Sequence, residues 1–461
     1  MSARGALVDL TPLRHSPPYR RLWASGVLSG MGHQVAVVAV LVQVWAMTGS
    51  AFWVGAIGLA QAVPMIVLGL LGGPLADVLD RRVVALWSTA GQALAALALA
   101  SQLVLGPAPL PLLLGLISLQ TACNALGAPS RRTFIVRLLP RHLVAAGVVL
   151  HMMAFQLGLL LGPALGGVLV GATSPAVGYL VNAGTLVVSW WAVWRLPSMR
   201  PQRGEVEDVA AGSAGTSDPP PGGAASPGVD GRAPGARPGR RPGPDQLWRR
   251  TRRGVSLLGE GVRMVASEPV LRGSFLLDLV AMLLSFPVAL FPMINEELFD
   301  GDATTLGLFM SAIAVGGATT GLASGVITRS DRLGRVQLLA VGLWGAAMLA
   351  LGLATLAGLG WAVLATLVVA GAADTAAVTS RAAMVQLATP DSHLGRVSAV
   401  EHVVGVAGPD LGNARAGLVA GLTTPAVAAV LGGAVCLVLS AWVGATHREV
   451  ARFRVSEVPS R

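Results

Sequence analysis

Twelve stretches of mostly apolar residues, joined by connections whose basic residues fall on alternate sides, constrain this chain more than any other feature. They lie at about 22–46, 54–75, 83–106, 110–129, 142–171, 175–195, 271–294, 305–328, 336–357, 361–380, 397–421 and 425–446. Roughly 20 such residues cross the hydrocarbon of a bilayer as an α-helix. Backbone groups in lipid must be satisfied within the segment, so helices are predicted throughout. The strict two-residue alternation of a membrane barrel is absent.

The basic residues test this count. All 33 are arginines. With the N-terminus inside, the connections 1–2, 3–4, 5–6, 7–8, 9–10 and 11–12 lie outside and hold none of them; their only charges are Glu296, Glu297, Asp300 and Asp302. Arg195, Arg272 and Arg415 fall within spans, and every other arginine is on the inside. Basic residues favour the cytoplasmic side. The expectation is therefore an all-α integral membrane protein of the inner (plasma) membrane, with both termini cytoplasmic and the lipid bilayer as its surroundings.

Only 12% of residues are charged, against about 25% in a soluble domain. The net charge of +10 comes without a basic soluble face or groove-reading motif, so no nucleic-acid partner is expected. Cys123 and Cys436 sit inside apolar runs and fit neither a metal spacing nor a disulfide framework. No metal and no cofactor are expected. The opening MSARGALVDLTPLRHSPPYRR has no short apolar core with a cleavage site, so it does not read as a removable signal peptide.

Residues 198–246 differ in kind: rich in Pro, Gly, Ala and Arg, they read as a disordered linker. From Trp248 to Glu268 apolar residues recur at helical spacing (Val255, Leu258, Val262, Val265), as in a helix lying on the membrane surface. The domains expected are thus a cytoplasmic segment 1–21, a six-helix bundle 22–195, a linker 196–270, a second six-helix bundle 271–446 and a cytoplasmic tail 447–461. The halves repeat. GPALGG at 162–167 pairs with GPDLGN at 408–413, SRRTFIVRLLP at 130–140 with SRAAMVQLATP at 380–390, and DVLDRR at 77–82 with DRLGRV at 331–336. Repeated six-helix halves are a hallmark of secondary transporters, whose substrate site lies near the midplane between them.

GGPLADVLDRR at 72–82 resembles the signature that the major facilitator superfamily carries between helices 2 and 3. Gly73, Asp77, Arg81 and Arg82 match, and Asp80 stands in place of the second glycine. Asp331, Arg332 and Arg335 keep the charges in the second half. DLTPLRHSPPYRRLW, LVQVWAMTGSAFWVGAIGLAQAVP, GRVSAV and GPDLGNARAG are similar to the enterobactin-exporter group, a siderophore-exporter and drug–proton-antiporter branch. The resemblance covers nearly the whole chain outside the linker. It implies two pseudo-symmetric bundles, alternating access, and proton-driven export of an amphipathic compound. It also implies that the Asp77 carboxylate meets the start of helix 11 and holds the cytoplasmic side shut.

Physical chemistry fits such a latch. A helix start exposes unpaired N–H groups and partial positive charge, and partly exposed charge pairs of about 1 kcal/mol or less can release. An ordinary positive-inside anchor is the simpler reading. Gly158, Gly162, Pro163, Gly166 and Gly167 place small residues four apart on helix 5, where another backbone can approach and a bend is permitted. In the superfamily this pattern is typical of antiporters and sits at the seam between halves; plain helix packing is the alternative.

Charges within spans are functional candidates by default. Asp278 on helix 7 and Asp374 on helix 10 are the candidate proton carriers, with His33 on helix 1 as a third titratable group; a permanent structural pair is the competing role for the carboxylates. Asp410 and Arg415, roughly 140° apart around helix 11, should partner other helices. Gln34 and Gln43 on helix 1, with Gln120 and Asn124 on helix 4, are the candidate cavity residues, although each is as readily an interhelical hydrogen bond. Ending helix 4 at residue 129 leaves no arginine within it. HExxH, CxxC, P-loop and GxSxG motifs are absent, so no enzyme is expected. The leading reading is a monomeric proton-coupled exporter of a small molecule. An importer of the same fold and a transport-dead sensor or scaffold are the alternatives.

Overall fold

A computed structural model describes residues 9–78, 80–106, 109–197 and 244–457, without the side chains of 70–78, 104 and 244–255. The predicted linker falls largely outside these residues. The first half holds α1 (Pro17–Thr48), α2 (Ala51–Val78), α3 (Arg81–Leu105), α4 (Leu110–Leu138), α5 (Arg141–Ala172) and α6 (Pro175–Trp194). The second holds α7 (Pro269–Ser285), α8 (Ala303–Leu322), α9 (Leu333–Leu356), α10 (Gly360–Ala388), α11 (Asp391–Leu422) and α12 (Pro425–Thr446). Between the halves runs a further helix, Pro244–Ser267. Successive long helices run in opposite directions; the end where α1 begins is called the near end below, and the other the far end.

Local sequence sets the starts. α1 opens with Pro17 after Ser16, whose Oγ accepts the Tyr19 N–H at 3.3 Å. α12 opens with Pro425 after Thr424, whose Oγ1 accepts from Val427 N at 3.2 Å. Proline at the first position lacks an N–H that would go unused there, and the hydroxyl satisfies another. α1 stops at Gly49, where φ of +56° is the left-handed conformation that glycine adopts without strain.

Eleven helical segments among the described residues are long and apolar enough to cross a membrane. α11 has 32 residues but carries Arg396, Glu401, Asp410 and Arg415 along its length, which lowers its hydropathy. With it, every predicted span is helical, the seventh with a break after Ser285. Several overrun the predicted ends: α4 continues nine residues past 129 and α10 eight past 380. At 1.5 Å per residue, the 32 residues of α5 reach about 48 Å, well beyond the roughly 30 Å of hydrocarbon.

The pairings in one half recur in the other. α1 packs on α5 and α6 as α7 packs on α11 and α12; α2 packs on α4 as α8 on α10; α3 packs on α4 and α6 as α9 on α10 and α12. The seam between halves is itself symmetric, α2 against α11 and α8 against α5. Backbones touch there. A Cβ at Gly417 would lie 2.7 Å from the Gly55 Cα, and one at Gly307 3.0 Å from the Gly167 Cα.

This packing corrects the sequence pairing of GPALGG with GPDLGN. Gly162 rests on Met31 and Gln34 of α1, and its structural counterpart is Gly412, resting on Met282 and Phe286 of α7. Gly167 on α8 corresponds likewise to Gly417 on α2. The true offset is therefore 250, not 246. A one-turn slip on a glycine-rich helix leaves most small residues superposed, which is why the sequence alone favoured the wrong one.

The helix Pro244–Ser267 packs on α11 and α2 as well as on α7, so it bridges the seam. Val265 joins Leu271, Phe275, Val397 and Val400 in a buried cluster, and Glu260 pairs with Arg396 at 3.1 Å. Leu258 and Val265 of its apolar face pack on protein, while Val262 remains 53% exposed.

Candidate functional site

Pro287 breaks the seventh span after Ser285; a 3-10 turn (Val288–Leu290) and the helix Phe291–Phe299 complete it. A broken helix frees backbone groups that must find partners in an apolar setting. α11 supplies them: Asn413 Oδ1 accepts the Ala289 N–H at 3.0 Å, and Arg415 Nη2 donates to the Leu284 carbonyl. Ser285 Oγ accepts from the Trp344 indole of α9 at 2.7 Å. Arg415 thus partners another helix, as its angle from Asp410 required.

Below the break, α7, α10 and α11 bring charges together. Asp278 is 5% exposed and Arg381 4%. Arg381 Nη1 pairs with Asp278 Oδ1, and its Nε stands 3.4 Å from Glu401 Oε1. Asp374 lies two helical turns before Arg381 on the same face of α10 and within electrostatic reach of Arg381 and Asp278. Asp278 Oδ2 and Asp374 Oδ1 are buried without a hydrogen-bond partner. One guanidinium therefore contacts two carboxylates, with a third, Asp374, within its electrostatic reach. Leaving carboxylates both buried and uncompensated costs several kcal/mol each, so such a cluster is suited to taking up and passing on a proton.

Sequence reasoning found Asp278 and Asp374 and missed Arg381 and Glu401 as their partners. Arg381 lay one residue beyond the predicted end of span 10. The repeat held the signal: SRRTFIVRLLP and SRAAMVQLATP align Arg131 with Arg381, and both continue their helices. By the 250 offset Asn124, Arg131 and His151 correspond to Asp374, Arg381 and Glu401. The first-half set contains no acid.

Arg131 is thus on α4 after all, correcting the expectation that this helix lacks one. It bonds Asn124 Oδ1 at 2.5 Å, the Asn124 carbonyl at 3.1 Å and Ser88 Oγ on α3 at 3.3 Å. Asn124 is accordingly engaged as an arginine partner. Gln43 is 3% exposed and accepts from the Tyr179 hydroxyl at 2.6 Å; it ties α1 to α6 and is not a cavity residue. Gln34 lies against Gly162, and Gln120 is half-buried. His33 is exposed on α1.

The glycine motif faces two ways. Gly158 touches Gly30 of α1, and Gly162 and Gly166 also lie on α1, inside the first half. Only Gly167, with the Pro163 carbonyl, reaches α8 across the seam. The expectation that the whole motif lies at the seam is therefore corrected to that pair.

Of the expected latch, the side chains of Gly73 and Asp77 lie outside the described residues. Asp80 caps α3 by accepting from Arg82 N at 2.9 Å, and Arg82 Nη2 donates to the Trp194 carbonyl at the end of α6. Arg332 is the residue from which α9 starts. Asp331 Oδ1 accepts from Ser456 N at 2.8 Å, and Arg335 Nε donates to Ala451 O at 3.3 Å, so this pair straps down the C-terminal segment. These bonds stay within their own halves. Across the seam, Arg132 Nη2 on α4 stands 3.3 Å from both ring nitrogens of His402 on α11. At the far end Trp45 Nε1 of α1 is 3.4 Å from Glu296 Oε2.

Known proteins share this architecture. The family model described as Major Facilitator Superfamily matches residues 22–409. Proteins named enterobactin exporter EntS, from Shigella boydii serotype 18 and Escherichia coli O139:H28, are each 26% identical, covering 98% of this chain and 97% of their own. Among solved structures, the nucleoside transporter NupG aligns with a TM-score of 0.68 at 12% identity, covering 93% of this chain and 98% of its own. A bacterial homolog of the human lysosomal transporter Spinster aligns at 0.65 and 16%, covering 96% and 99%. The chain is a multi-pass membrane transporter and belongs to the Major Facilitator Superfamily.

Proposed function

We propose that the protein is a monomeric, proton-coupled exporter of a small amphipathic molecule, placed in the inner membrane with both termini cytoplasmic. The observation that carries this reading is the Arg381 cluster, in which one buried cation contacts Asp278 and Glu401 and lies within electrostatic reach of Asp374. A proton arriving on one carboxylate changes which partner Arg381 holds. The three helices it joins include α7, broken at Pro287, and α11, which forms the seam with α2. Proton occupancy can thereby bias which end of the seam opens. The arginine asymmetry of the connections supports the orientation. Export of a catecholate siderophore or a related compound is supported by the name of the relatives and by their match along nearly the whole chain.

Uptake of catecholates and lipophilic drugs into inverted vesicles carrying a proton gradient tests the reading. The parent should accumulate at least one compound, a protonophore should abolish the accumulation, and Asp278→Asn or Asp374→Asn should uncouple it. Uptake that ignores both substitutions moves the proton elsewhere, and a parent inert to every compound reopens the scaffold reading.

A further inference from the structure

Besides the Arg381 cluster there is a second group of titratable side chains, and it spans the seam near the opposite face of the same α11 turn. Glu401 turns toward Arg381, and the next residue, His402, meets Arg132 of α4. His151 of α5 also lies within electrostatic reach of Arg132. Arg132 is exposed and His402 half-exposed, so water reaches the pair. No carboxylate pairs with Arg132 among the described residues.

We infer that Arg132 and His402 form a proton-controlled gate between the halves: neutral His402 holds the near end shut, and protonated His402 releases it. The inference rests on the alternating-access reading above. Arg132 Nη2 is equally far from both ring nitrogens, so it lies over the ring face, where a neutral imidazole attracts a guanidinium. Protonation makes the ring itself a cation and places two cations 3.3 Å apart, so attraction becomes repulsion. Histidine is the side chain whose ordinary titration falls between pH 5 and 8.

The surroundings leave Arg132 as the charge acting on this ring. α7 offers Asp278 and α10 offers Arg381, already paired with each other, with Asp374 within reach of that pair, and α4 also carries Arg131, bonded to Asn124. The bridging helix offers Glu260, paired with Arg396 of α11 itself. On α11, Glu401 is engaged by Arg381, and Arg415 by the Leu284 carbonyl; Asp410 lies two turns away. α12, the 288–290 turn and the described side chains of α2 carry no charge. Because residues 401 and 402 are consecutive, a proton exchanged at the Arg381 cluster and one at the gate act on the same turn of α11.

The test is an electron-spin distance measurement between nitroxides at Val136 and Ser398, both exposed, in a cysteine-free background in lipid nanodiscs at pH 8 and pH 5.5. The parent should shift to longer distances at pH 5.5. His402→Gln, which accepts a hydrogen bond and does not titrate, should stay short at both; His402→Lys should be long at both; His151→Gln should keep the parent's shift. A pH shift that survives in His402→Gln, or its absence in the parent, overturns the gate. Vesicle uptake by the parent, measured alongside, separates the two ideas: uptake with a pH shift that persists in His402→Gln discards the gate and keeps the transporter. The expected distance pattern without uptake supports the gate and discards the substrate reading.

Discussion

Arg381 shows how much hangs on one side chain. It neutralises Asp278 from a site that is 4% exposed, and losing one partner of a buried pair strands the other at a cost of about 3–5 kcal/mol. Arg381→Met should therefore lower the melting temperature in detergent sharply, and Arg381→Met with Asp278→Asn should recover part of the loss, because neighbouring residues do not contribute additively. Equal melting temperatures for the single and double variants would show that the pair is not what the fold depends on. Asp331 works on the surface. The Ser456 N–H holds its carboxyl below the usual carboxylate range, with Arg454 and Arg332 adding to the effect. A depressed carboxyl contributes fully above its unfolded value and loses that contribution as pH falls through the folded one. Protection of the Ser456 amide, taken relative to the free-peptide exchange rate at the same pH, should fall as pH drops below the usual carboxylate range, and Asp331→Asn should show low protection at every pH.

At the level of helices, glycine placement decides which surfaces meet. A Cβ at Gly417 would stand 2.7 Å from the Gly55 Cα, whereas one at Gly342 of α9 would meet nothing within 4 Å. Overpacking costs about 1–3 kcal/mol. Gly417→Val should reduce vesicle uptake strongly while Gly342→Val leaves it at the parent level; equal activity in both would mean that α2 and α11 do not need this close approach. The twelve helices were legible in the sequence because lipid demands a long apolar run for each crossing. Their ends were not, because α4 and α10 continue past their apolar runs into polar turns where hydropathy gives no signal. That excess hid Arg131 and Arg381, two of the most informative residues in the chain.

Across the whole molecule the halves are alike in packing and unlike in charge. Asp374 and Glu401 of the second-half cluster have Asn124 and His151 as their first-half counterparts, so the buried acids are concentrated on one side of a symmetric frame. The bridging helix holds that frame across α2 and α11. Exchanging its ion pair tests the role: Glu260→Arg and Arg396→Glu should each lower uptake, and the double variant should restore most of it. Single variants with full uptake would reduce the bridge to a passive connection.

The sequence by itself determined the number of crossings, the family and the presence of a repeat, since each is written in runs of hydropathy, charge alternation or contiguous motif. It also singled out Asp278 and Asp374, because a carboxylate in an apolar run is conspicuous. Only the tertiary structure decided that Arg381 and Glu401 complete their cluster, that Gln43 is packing, that GPALGG shares the 250 offset of the SRRTFIVRLLP pair, and that Arg132 meets His402 across 270 residues of chain. Those facts depend on which helix faces come together. Close backbone packing at the glycines selects the faces, and a one-turn change of register would have brought a different set of side chains into contact.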